Sequence, residues 1–494
     1  MSRTLFDITT PLIWEQVDGV NNLLSLLGAT YSVDKSAKIT LREKERTPNT
    51  FSRFDFYAPH VKGLRIYGSR ASNTTLTGWP VLLSRARQQV LLPNLQRLVI
   101  DVPNLLRGAD QPLWIAAFAS PSLIEVSTPP PPHFASASLV PRRAAAYMMQ
   151  FLAHQGPKLQ SLDLFPSEEA ESHIGDGGNI LRPFLPGKTL KFFEYIANFN
   201  SLVHLSGTFE WFEKKPFRIL SRLPHLESIS IYSDEPAAED DLDSLLANNS
   251  FPSLRELAFE RVHVNDVLGV AFNERFIQRV TTLRLGSEEE HLGFDNIHGI
   301  WDTEESSIPR IFEHLTNIKH LEFTVYEPDI LLPFDQYILG PLLEIPLKTL
   351  ILRGVDVEDW QLLTEERDEA WPDMTELRIF DYTVTLDELC EYALMPSLRQ
   401  IEFKLNFRGT RKPWPGYREQ VLVNPSLEVI KSSQGGTMCS TTEEMDIIAN
   451  ALLVHWPNLK RIEWDTEDEV TLRLVDQLNA KLNAARAALA ASGS

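Results

Sequence analysis

Apolar residues recur along this chain in one short figure. "LPNLQRLVI", "GPKLQSLDL", "LPHLESISI", "FPSLRELAF", "WPDMTELRIF", "MPSLRQIEF" and "WPNLKRIEW" each carry a proline, a spacer, and then three apolar positions spaced a-x-x-d-x-f. Fourteen copies fit between Val61 and Trp464. The a column begins at Val61 and ends at Leu459. The d column reads Leu64, Leu98, Val126, Leu162, Leu205, Ile229, Leu257, Leu283, Leu321, Leu350, Leu377, Ile401, Ile430 and Ile462. All 28 residues of these two columns are apolar in a chain that is 43% hydrophobic, so the pattern is not a composition effect. The f column is looser and is broken by Thr128, Gly207 and Ser432.

Positions d and f lie two apart and therefore share one face of a strand, while the residues between them share the other. Position a precedes the strand and tucks beneath it. Proline stands two before a in ten of the fourteen copies, where it stops any helix arriving from the previous copy. Successive a residues are 24 to 43 apart, long enough for a strand, a helix and two turns. A parallel strand-helix array follows, in which each copy shares its core with its neighbours.

This figure resembles the leucine-rich repeat, L-x-x-L-x-L, over residues 59 to 465. The resemblance implies an irregular α/β solenoid with a parallel concave sheet and convex helices. The asparagine that family places three residues after f is mostly missing here. Three segments are expected: a short N-terminal helical cap at 1–50, the solenoid at 51–470, and a C-terminal helical cap and tail at 471–494.

The N-terminal stretch "TLFDITTPLIWEQVDGVNNLLSLLG" has helical spacing around Pro11, Leu12 and Trp14. With "FSRFDFYAPHVKGLRIYG" at 51–68, it resembles the closing part of an F-box and the entry to the repeats in fungal F-box proteins with leucine-rich repeats. That family binds the Skp adaptor of cullin-RING ubiquitin ligases through the F-box and captures substrates with its repeats. The resemblance implies a substrate-recognition subunit or a derivative lacking the adaptor-binding part, since the L-P-x-E-[IL] opening of an F-box does not occur in the sequence. Pro11, Leu12 and Trp14 would be the adaptor-side remnant; otherwise Leu12 and Trp14 form an apolar cap over the first repeat. A scaffold unrelated to ubiquitin ligation is the alternative.

Charge narrows the partners. Lys plus Arg number 47 against 67 Asp plus Glu, a formal charge of -20, so a nucleic-acid or anionic-membrane partner is not expected. Two cysteines make no disulfide framework, and no signal peptide or run of about 18 apolar residues occurs, which points to the cytoplasm or nucleus. The loops at 127–143, rich in proline, and 286–310, rich in acid, read as solvated excursions.

Chemistry is sparse. "FLPGKTL" (184–190) ends like a phosphate loop, but Arg182 stands where its first glycine belongs. The glycines of "HIGDGG" read as a turn, and the acidic runs at 235–243 and 364–371 as solvated faces. His314 and His320 lack metal-ligand spacing, and Cys390 reads as a buried helix position without a basic neighbour. No catalytic residue, cofactor or metal is assigned, and no enzymatic turnover is expected. Binding is expected on the outward strand positions: Arg65, Tyr67, Arg97, Phe165, Tyr232, Arg353, Glu376, Arg378, Phe380, Glu402 and Lys404. Arginine and aromatic side chains dominate binding hot spots, and a row of them on one face signals a protein partner.

Overall fold

A computed structural model describes residues 3–33, 38–41, 51–67, 75–100, 110–128, 139–156, 158–167, 180–185, 188–232, 242–288, 307–326, 331–357, 371–409 and 423–492. The chain forms two compact units, Met1–Arg255 and Glu256–Ser494. Each is an α/β solenoid of the leucine-rich-repeat kind, and each ladder strand is called here by its d residue.

All fourteen d residues fall in strands of the ladder, and every one is at most 2% exposed. The a residues are equally covered, none above 3%. In the first unit the strands of Leu64 (Gly63–Arg65), Leu98 (Arg97–Val99), Val126 (Glu125–Ser127), Leu162 (Ser161–Asp163), Leu205 (His204–Gly207) and Ile229 (Ser228–Tyr232) pair in parallel. One strand precedes the repeats: Gln16–Asp18 pairs in parallel with Gly63–Arg65 and places Val17 opposite Leu64.

In the second unit the order is Leu257 (Glu256–Glu260), Leu283 (Thr282–Glu288), Leu321 (His320–Tyr326), Leu350 (Thr349–Arg353), Leu377 (Glu376–Thr385), Ile401 (Gln400–Asn406), Ile430 (Val429–Ser432) and Ile462 (Arg461–Trp464). All are parallel and in register at d. The connections return through helices that pack on one another, as Gln111–Phe118 does on Arg142–Gln155 and Ser307–Glu313 on Gln336–Leu343.

Two of the broken f positions are filled by other means. Gly207 leaves room for the Trp211 indole, whose Nε1–H donates to the Leu164 carbonyl at 3.1 Å. Ser432 accepts from Leu405 N at 3.2 Å. The residue after the repeat proline also bridges copies: Asn94 donates to the Pro59 carbonyl, Ser122 to Pro93, Ser253 to Pro224 and Asn458 to Pro425, at 2.7 to 2.9 Å. These rungs satisfy carbonyls that the stopped helices leave open.

Helix Glu469–Ser492 covers the last strand, burying Val475, Leu478 and Leu482. Its Asn479 accepts from Ile462 N at 2.8 Å and donates to Ile462 O at 2.9 Å, imitating the next strand of the ladder. Of the expected loops, residues 129–138 and 289–306 lie outside the described residues, as do 233–241, 358–370, the "HIGDGG" turn and the helix expected before Trp371. Trp371 itself is buried and donates to the Ile345 carbonyl at 3.0 Å. Among the described residues no helix is long and apolar enough to cross a membrane.

Candidate protein-interaction face

Parallel pairing in register converts each outward column into a row running across the strands, with neighbours about 4.8 Å apart. From the Leu283 strand on, the residue after d generates, in the second unit, Arg284, Glu322, Ile351, Arg378, Glu402, Lys431 and Glu463, each opposite the next. The signs alternate on both sides of Ile351. Arg284 meets Glu322 at 3.7 Å and Glu256 at 3.2 Å, Arg378 meets Glu402 at 3.6 Å as well as Glu376, and Lys431 meets Glu463 at 2.8 Å. In the row before d, His320 Nδ1 lies 3.0 Å from Thr349 Oγ1.

The first unit presents a plainer face. Its rows carry Ser127, Asp163, Ser206 and Ser230, and Ser127 donates to Asp163 at 2.8 Å. Burial pushes the Asp163 carboxyl above its ordinary value despite the hydrogen bonds from Ser127 and Ser206. Arg65 and Arg97 are exposed there, Arg97 paired with Glu125 at 2.8 Å.

Two of the expected face residues are elsewhere. Tyr67 is buried, its hydroxyl accepting from Trp114 Nε1 at 3.0 Å, and Phe165 is buried with its ring edge-on to Tyr232 at 5.6 Å. The Leu64 and Leu162 strands are only three residues long, so the chain has left the sheet before these side chains and strand alternation no longer sets their direction. Phe165 begins a separate strand, Phe165–Ser167, paired with Leu139–Pro141. Tyr232, at the end of a five-residue strand, stays half-exposed.

The densest part of the second face surrounds the Leu377 strand. After Ile379 this strand bulges, and pairing with the Ile401 strand resumes at Thr383. Bulges bend a strand and re-aim its side chains. Here Phe380 is carried under Arg353, whose guanidinium lies 3.5 Å from the ring centroid. The turn is pinned on both sides: Asp381 accepts from Gly354 N at 2.6 Å, and Ser433 Oγ donates to the Phe380 carbonyl. Gly354 takes a φ of 69°, which favours glycine.

Glu376, Arg378 and Lys404 are half-buried around this pair, and Glu402 is buried within its row. Burial raises the Glu402 carboxyl, and it outweighs the pull of Arg378, Lys431 and Arg353 in the other direction. Burial, with help from Glu388, Asp356 and Glu391, also lifts the Tyr382 phenol to about 12.

The expected face includes Arg378 and Glu402 but not Glu322, Lys431 and Glu463, which complete the same row. The signal was present: each is the residue directly after d. The bulge had no such signal, since it shows only in the pairing. Cys390 sits in helix Leu386–Glu391, where burial and the nearby Asp387 and Glu391 push its thiol to about 12, far from a reactive thiolate.

At the N-terminal end, helix Arg3–Trp14 contains Pro11 and stacks Trp14 on Tyr57 at 4.7 Å. Leu12, expected as part of a cap if not an adaptor contact, is 69% exposed, and Ile13 beside it is 66% exposed. The capping contact is made by Trp14 alone of the two, because residues 12 and 13 fall on the helix face turned from Tyr57.

No known family profile matches the chain, and neither does any curated protein sequence. Among solved structures, an internalin (inlF) from Listeria monocytogenes aligns over 77% of this chain and 82% of its own, at 11% identity and a TM-score of 0.31. TLR13 in its complex with ssRNA13 aligns over 87% of this chain and 60% of its own, at 12% identity and a TM-score of 0.38. Neither overlap is close enough to add to what the chain's own geometry shows.

Proposed function

We propose that the chain is a protein-recognition module acting through the outward strand face of its second unit. In the finer reading it is the substrate-binding part of an F-box-type ubiquitin-ligase receptor, or a derivative without the adaptor-binding part. The observation that carries recognition is the Arg353–Phe380 pair, held on an outward bulge and ringed by charges that neutralise one another. An aromatic and an arginine at the centre of a polar rim is the composition of a binding hot spot. The balanced rim adds little net field, so a partner is selected by shape and by the central pair.

Support for the ligase reading is narrower. It rests on the resemblance at Pro11, Leu12 and Trp14 and on Ile8, Leu12 and Ile13, which helix Arg3–Trp14 leaves exposed. Titration of purified Skp adaptor onto the full chain tests it. One-to-one association, lost in Leu12→Asp/Ile13→Asp, supports the ligase reading. Absence of association with the wild-type chain sinks the adaptor-binding form of that reading and leaves either the derivative without that part or a recognition scaffold outside ubiquitin ligation.

A further inference from the structure

The first unit also carries an open cavity of ≈ 1020 Å³ between helices Arg142–Gln155 and Lys214–Leu220 and the short turns Arg182–Phe184 and Phe192–Asn198. Its floor is apolar and aromatic, formed by Ala146, Tyr147, Phe192 and Phe193. Among the described residues its rim carries Arg142, Arg143, Arg182, Lys191, Lys214 and Lys215, with Glu213 as the acid. Six cations around one cavity are out of keeping with a chain whose formal charge is -20.

The local structure holds these cations in different ways. Arg142 and Arg143 open a 14-residue helix whose first turn holds no acidic residue and whose N-cap, Pro141, makes no side-chain bond. The positive end of a helix favours anions and disfavours cations. Glu210, at 2.8 Å, and Glu213 balance Arg142. Arg143 is instead turned onto the floor, donating to Tyr147 Oη at 2.7 Å and lying 5.8 Å over its ring, and Lys191 lies 5.8 Å over Phe193. Charge and aromatic surface therefore face the same space.

We infer that this cavity binds a small organic anion: a phosphate or carboxylate held by the rim and the start of helix Arg142–Gln155, attached to an aryl or alkyl group lying on Tyr147 and Phe193. The volume is that of a small-molecule site, and an apolar floor with a few convergent charges is its usual composition. This is not the phosphate loop suggested by "FLPGKTL". Thr189 spends its hydroxyl on Gln150 Oε1 at 3.0 Å, and the chain runs from there into a short turn rather than a long helix. The site is independent of the strand face.

Calorimetric titration of the full chain with phenyl phosphate, decanoate, inorganic phosphate and benzyl alcohol tests the inference. One-to-one binding of phenyl phosphate marks a phosphorylated aryl ligand and of decanoate a fatty-acyl one; either supports the site. The same titrations are expected to show inorganic phosphate and benzyl alcohol weaker by about tenfold or more, because each supplies half of the recognition. Arg182→Glu/Lys215→Glu, both exposed and checked for folding by circular dichroism, is expected to lose about tenfold, and Arg473→Glu on the far C-terminal helix nothing. Failure of both amphiphiles to bind, inorganic phosphate equal to phenyl phosphate, or unchanged affinity in the charge-reversed pair overturns it.

Discussion

Gly286 shows how a single residue decides a contact between strands that are not neighbours. A Cβ there would stand 2.5 Å from Glu260 Oε2 and 2.6 Å from Tyr326 Oη; its absence lets Tyr326 donate to Glu260 across the intervening Leu283 strand. Arg261, at a φ of 57°, covers the same ring at 4.9 Å and pairs with Glu288. Gly286→Ala is expected to cost about 1–3 kcal/mol by overpacking, read from denaturant unfolding. Burial raises the Glu260 carboxyl, chiefly by desolvation and with Glu322 adding, so its contribution to stability is complete below the ordinary value of 4.5 and is lost as pH rises through the raised folded value. Glu260→Gln keeps an acceptor for Tyr326 and cannot ionise. It is expected to melt above the wild type near neutral pH and level with it below pH 4.5; a lower melting point at neutrality would contradict the assignment. Tyr67 and Phe165 set the limit of legibility at this scale. Alternation assigns a side only while a strand continues, and the sequence does not say that these strands stop after three residues.

At the scale of elements, the columns were legible because each strand needs the same two inward residues whatever its neighbours are. Every a and d residue is accordingly buried. What lay outside the columns required the third dimension: the bulge at Phe380, the extra strand Gln16–Asp18, and the amide of Asn479 on the open edge. The rungs were within reach, since "PNL" and "PSL" recur in the repeats and the middle residue is the one that bridges copies. Asn479→Ala would leave Ile462 N–H and C=O unpaired on a sheet edge. A loss of about 1–3 kcal/mol in stability is expected, with self-association visible by light scattering, because an uncovered edge recruits another strand. Wild-type stability and mass in that variant would show that the helix covers the edge without the amide.

At the scale of the whole molecule, a repeat array transmits damage to adjacent copies first. Leu350→Ala is expected to cost about 2–5 kcal/mol, and amide exchange should rise in the Leu321 and Leu377 strands before it rises elsewhere in that unit. Recognition belongs to this scale too, since the face exists only when consecutive strands are in register. We propose that Arg353 and Phe380 form the anchor of a protein-binding surface. The most direct measurement takes a protein retained by the immobilised full chain, purifies it, and compares its affinity for wild type, Arg353→Glu/Phe380→Ala and Arg473→Glu. A loss of about tenfold or more is expected in the double variant alone, the magnitude of a hot spot rather than of a rim contact. Equal affinity across all three chains would contradict the account.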